Sequence, residues 1–235
     1  FMRHAFDGVE YPQQQSIQPE ILSPSAAQLN QLTTADGLLV FNVMKPANYD
    51  SETRNYPVVY VLNDAVDLTE ATASSNLLAQ LNQAVVKTRL PACIIVEIPF
   101  KQDFITTERI EEIVTMIKAN YRTNPEGKYA VLMGNNIAGK FTFELMESLK
   151  ASFNAALLFN ATLADDAVVN EGDIAWYVDM TDEHAAFKGY ETLYQSIRTQ
   201  QAKYEYRVRQ GQSGHADFQA GLDAAMVFIK DNLKK

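Results

Sequence analysis

The sequence predicts an α/β domain, with a mostly parallel central sheet and helices on both faces. Three observations lead there. Short apolar runs of strand length alternate with amphipathic helical stretches along the chain. Several of these runs are continuous rather than alternating in polarity, as central strands covered on both faces require. With 235 residues, 47% of them apolar, the chain is long enough to bury a full core as one domain.

The first strand is read in "LLVFNVM" (38–44), which lies between "TADG" and "KPANYDSETRNYP" and suits an antiparallel edge. Further strands are read in "PVVYVLN" (57–63), "ACIIVEIP" (92–99), "YAVLM" (129–133), "AALLFN" (155–160), "IAWYVDM" (174–180) and "YEYRVR" (204–209). Between them, Leu77, Leu78, Leu81 and Val85 share one helical face, as do Ile110, Ile113, Val114 and Ile117. Thr106 or Thr107, followed by Glu108, suits a helix start: a capping hydroxyl, then a carboxylate near the positive end of the dipole. On the last helix, Phe218, Leu222, Ala225, Met226, Ile229 and Leu233 fall along one stripe. Such alternation gives βαβ units joined by right-handed crossovers. Residues 1–35 differ, since "YPQQQSIQPEILSPS" is rich in Pro, Gln and Ser. They read as an arm or linker ahead of a domain at 36–235.

Composition excludes several functions. A formal charge of −9 with no Lys/Arg run argues against nucleic acid as a partner. No stretch reaches about 18 apolar residues, so no membrane span is expected. His4, His184 and His215 show no metal spacing, and there is no Cys/His cluster, so no metal site is expected. The absence of GxGxxG and of a phosphate-binding loop argues against a nucleotide, and no cofactor is expected. The lone Cys93 lies in "ACIIVEI" and reads as a buried structural thiol.

In an open parallel sheet, sites form at the carboxyl ends of the strands. Three segments around those ends carry a resemblance. "YPVVYVLND" resembles the "YPVLYLLDG" strand of an esterase family of α/β-hydrolases that includes esterase-D-like and trilactone siderophore esterases. "IKANYRTNPEGKYAVLMGNNIAG" is similar to that family's helix, strand and nucleophile elbow. "YEYRVRQGQSGHADFQAGLDAAMVFI" is similar to its last strand, histidine loop and final helix. The resemblance covers residues 36 to 235 in order and implies the α/β-hydrolase fold.

It also implies a serine nucleophile, a histidine base and an orienting carboxylate, with backbone N–H groups for the oxyanion. Matched by position, the elbow Gly-x-Ser-x-Gly-Gly becomes Gly134-Asn135-Asn136-Ile137-Ala138-Gly139, so Asn136 stands at the nucleophile position. An amide has no proton that a base can remove to give a nucleophile, yet Asn tolerates the positive φ that elbows impose. His215 falls at the base position, and Asp182 at the acid position, with Asp179 and Glu183 as rivals. Around the oxyanion and pocket positions stand Asn63, Asp64, Asn135 and Ile137. Asn63-Asp64 replaces the family's Asp-Gly, which puts a carboxylate where negative charge develops in catalysis. "FKQDF" (100–104) replaces an Arg-rich run, and the short acidic "ATLADDAVVNEGD" (161–173) replaces substrate-contacting aromatics.

Two functions are consistent with these departures. One is a catalytically silent member of the fold that binds a small-molecule ester, sugar or peptide, or rests against another protein domain. The other is an active carboxylesterase or thioesterase working by a non-serine route, such as water activated by His215 with Asn136 as an orienting or oxyanion donor. The family resemblance and an opening Phe1 point to a periplasmic or secreted location.

Overall fold

The computed structural model describes residues 25, 28–64, 76–126, 129–170, 173–211 and 215–233. In chain order the elements are β1 (Leu29–Thr33), β2 (Val40–Met44), β3 (Val58–Asn63), α1 (Asn76–Val86), β4 (Ile94–Pro99), α2 (Thr107–Asn120) and β5 (Ala130–Asn135). They continue with α3 (Asn136–Leu149), β6 (Ala155–Phe159), β7 (Ala175–Thr181), α4 (Phe187–Thr199), β8 (Tyr204–Arg209) and α5 (His215–Asn232). The strands form one eight-stranded sheet in the order β1-β2-β4-β3-β5-β6-β7-β8.

From β4 to β8 every pairing is parallel, while β2 runs antiparallel to β4. The antiparallel strand expected at the edge is not the outermost one. Leu29–Thr33, expected within the arm, forms β1 and pairs with β2, Leu29 opposite Met44 and Thr33 opposite Val40. Reading Leu-Asn-Gln-Leu-Thr and half exposed, it carries little apolar signal.

Right-handed crossovers decide which face each helix covers. The chain steps from β3 to β4 in one direction and from β5 onward in the other, so α1 and the later crossover helices lie on opposite faces. The core divides accordingly. Tyr60 and Leu62 pack with Ile113 of α2, Leu145 of α3 and Leu193 of α4. Their strand neighbours Val59 and Val61 pack with Leu78 of α1 and Leu222 of α5. This is the two-residue alternation of a strand, each face apolar because each is covered. Thr106 proves to be the cap of α2, its side chain accepting from Arg109 N at 3.3 Å. No helix among the described residues is long and apolar enough to cross a membrane.

Candidate active site

The strand order reverses at β3 and β5. These are neighbours in the sheet, but β3 continues to β4 on one side and β5 to β6 on the other. Such a switch point opens a crevice at the carboxyl ends of the two strands, where ligands bind in open α/β sheets. At that point stand Asp64, directly after β3, and Asn136, directly after β5.

The turn from β5 into α3 is sharp, and its residues account for that. Asn136 has φ +49°, the left-handed region that Asn tolerates better than most side chains. A Cβ on Gly134 would lie 2.5 Å from the Ala138 carbonyl oxygen and 2.6 Å from Thr142 Oγ1. One on Gly139 would lie 2.8 Å from Ala161 Cβ. Glycine at both positions lets α3 sit directly against β5 and the chain after β6. Ala138 is fully buried beneath the turn, and Thr162 N donates to the Asn136 carbonyl at 3.2 Å.

The tip of the turn faces outward. Asn136 and Asp64 are exposed, and Asn136 Nδ2 donates to Asp64 Oδ2 at 3.3 Å. Ile137 is 47% exposed beside them, whereas Asn135 is buried and its Oδ1 has no hydrogen-bond partner among the described residues. Asn63 lies closer to the sheet than its expected pocket position suggests: it is buried, and its Nδ2 donates to Glu97 Oε1 at 2.9 Å. The other oxygen of Glu97 accepts from Asn42 Nδ2 at 3.2 Å. This fully buried carboxylate of β4, held by amides from β2 and β3, fixes the end of β3 just before Asp64. Sequence reasoning passed over Glu97; its only signal is one charge in the apolar run 92–99.

The expected acid region holds two carboxylates with different roles. Asp182 is exposed just after β7, and its Oδ1 accepts from Gly211 N at 2.9 Å. It thus fastens the end of β7 to the loop that leads into α5. Asp179 is fully buried in β7, and its Oδ1 accepts from Arg209 Nε at 2.7 Å. Tyr177 Oη donates to its second oxygen at 3.3 Å, and Gly221 of α5 passes so closely that a Cβ there would lie 3.1 Å away. Burial pushes the Asp179 carboxyl above the usual carboxylate range, with Arg209 opposing. The pair joins β7 to β8 beneath α5. Glu183, the other rival, is exposed beside Asp182.

His215 is the first residue of α5, and its side chain lies outside the described part of the structure. His184 follows β7, and its Nδ1 accepts from Ala186 N at 3.1 Å. Its ring stands edge-on to Tyr190, and burial lowers its pKa. The fold therefore brings Asp64, Asn136, Asp182 and the start of α5 to one edge of the sheet, and among the described side chains there Asn136 and Asp64 are in direct contact. Among the described residues, no group of His, Cys, Asp and Glu side chains could hold a metal ion.

No family model and no curated protein matches the chain. Solved structures do. A ferulic acid esterase from Anaeromyces mucronatus, solved with ferulic acid, matches 92% of this chain and 94% of its own, at 14% identity and a TM-score of 0.69. S-formylglutathione hydrolase from Staphylococcus aureus matches over 86% and 97%, at 9% identity and a TM-score of 0.67. The enterobactin esterase of Shigella flexneri matches 91% of this chain and 61% of its own, at 11% identity and a TM-score of 0.71. With a mostly parallel sheet and these esterases as structural neighbours, the chain has the α/β-hydrolase fold.

Proposed function

We propose that this chain is an esterase-like protein whose turn has lost its nucleophile, and that it acts as a catalytically silent binding module. One observation supports the reading: Asn136, which the resemblance puts at the nucleophile position, has φ +49°, and its Nδ2 donates to Asp64 Oδ2 at 3.3 Å. A carboxamide cannot become an alkoxide, so acyl transfer through a covalent ester has no starting group. Asp64 adds a negative charge where the oxyanion would develop, and acyl transfer requires donors there. The carboxyl ends of β3 and β5 remain the expected binding position, because that position follows from the strand order and not from the nucleophile. Its structural neighbours act on ferulic acid esters, S-formylglutathione and enterobactin, which supports a small-molecule ester as the ligand class.

The test is direct. The protein is incubated with p-nitrophenyl acyl esters and with a fluorophosphonate probe. The expected result is no covalent labelling and no turnover above that of a His215→Ala variant. An acylated side chain in the crevice, or turnover lost in that variant, would overturn the reading in favour of an active hydrolase.

A further inference from the structure

A second concavity lies on the α2–α3–α4 face, away from the carboxyl edge. It opens to solvent between the later half of α3 and the segment entering β7, with a volume of about 260 Å³. Phe143, Met146, Val169, Ile174 and Trp176 form its apolar wall. Phe143 follows Asn136 by two helical turns, so the cavity starts about 10 Å along the helix from the candidate active site. Its volume exceeds the ~150 Å³ at which an apolar cavity accepts a benzene ring, so one ring with a short substituent fits. Phe143 and Trp176, with ring centroids 5.7 Å apart, present aromatic surface to such a guest.

The mouth is acidic at its centre. Glu144 and Glu147 stand about one turn apart on α3, and Asp166 faces them across an adjoining hollow that shares both glutamates. Asn170 Nδ2 donates to Glu147 Oε1 at 2.9 Å and steadies the opposite bank. The cations lie towards the ends: Lys140 is 3.5 Å from Glu144, and Lys150 lines the far side. An apolar wall with carboxylates at its mouth complements an ammonium carried on a small hydrophobic body, through ion pairing and cation–π attraction.

We propose that this cavity binds a small aromatic amine, its ring against Phe143 and Trp176 and its ammonium at Glu144 and Glu147. Trp176 is the sole tryptophan of the chain, so its fluorescence reports occupancy of this cavity directly. The intact protein is titrated with 2-phenylethylamine, 2-phenylethanol and 3-phenylpropanoate. The amine is expected to give a saturable change, the alcohol a weaker one and the carboxylate none. Glu144→Gln and Glu147→Gln, both at exposed positions, should each weaken the amine by about two- to fivefold and leave the alcohol unchanged. Asn136→Ser should leave the amine titration unchanged, which separates this site from the crevice. Equal or tighter binding of the carboxylate, indifference to both glutamate substitutions, or no saturable response up to about 10 mM amine would overturn the proposal.

Discussion

Asn136 and Asp64 join the carboxyl ends of β5 and β3 through a hydrogen bond, Nδ2 to Oδ2, of 3.3 Å. On the proposed function, this contact pairs the two departures that most affect chemistry, an amide in place of a hydroxyl and an added carboxylate. Each matters for a different step, one for attack and the other for the charge that follows.

Restoring the hydroxyl alone is therefore expected to restore little. Two unit charges about 4 Å apart interact by about 4 kcal/mol at an effective dielectric of 20, enough to oppose an oxyanion beside Asp64. Asn136→Ser should label slowly with fluorophosphonate, and Asn136→Ser with Asp64→Gly at least about tenfold faster. Equal rates, read from gel fluorescence over time, would show that Asp64 does not face the reacting group.

The backbone of the turn supplies a second prediction. Asn136→Gly and Asn136→Ala both remove the bond to Asp64, but only alanine carries a side chain poorly suited to φ +49°. Alanine should be less stable than glycine by about 1–2 kcal/mol, measured as a shift in the urea midpoint.

Asp179 gives a pH dependence with a definite sign. Its folded pKa is raised above the ordinary 3.8, so its contribution to stability is complete below that value and declines as pH rises through the folded value. Removing Arg209 takes away the opposing charge and raises the folded pKa further. Arg209→Gln should cost about 3–5 kcal/mol near neutral pH, where the buried carboxylate has lost its partner, and much less at about pH 4. Urea midpoints across that range test it; a deficit independent of pH would mean that the charge pair is not its source.

Burial pushes the Cys93 thiol up to about 12. The thiolate is the reactive form, so this residue should ignore thiol reagents at pH 8 in the folded protein and react once urea unfolds it. Labelling in native buffer at the unfolded rate would contradict the packing around β4.

Most of the fold was legible because covered parallel strands leave continuous apolar runs, as in Val58–Asn63 and Ile94–Pro99. The half-exposed β1 leaves no such trace. The helix α4 was not singled out either, although Tyr190, Leu193 and Ile197 are buried on one stripe. Gly189 interrupts its pattern for a reason set by tertiary contact: a Cβ there would lie 2.4 Å from the Ala164 carbonyl oxygen. At the site, the motif located the turn, but the bond between Asn136 and Asp64 joins residues 72 positions apart. The roles of Glu97 and Asp179 were hidden for the same reason, since their partners come from neighbouring strands. The cavity beside Trp176 had no linear signature, because its walls come from α3 and from the segment entering β7.

The pairing of Leu29–Thr33 with β2 has a practical outcome for anyone trimming this protein. A version beginning at residue 36 would strip the cover from Val40–Met44 and bare a row of unused amide and carbonyl groups. Such margins recruit stray chains, so the shortened version should clump on concentration while one beginning at residue 25 stays dispersed.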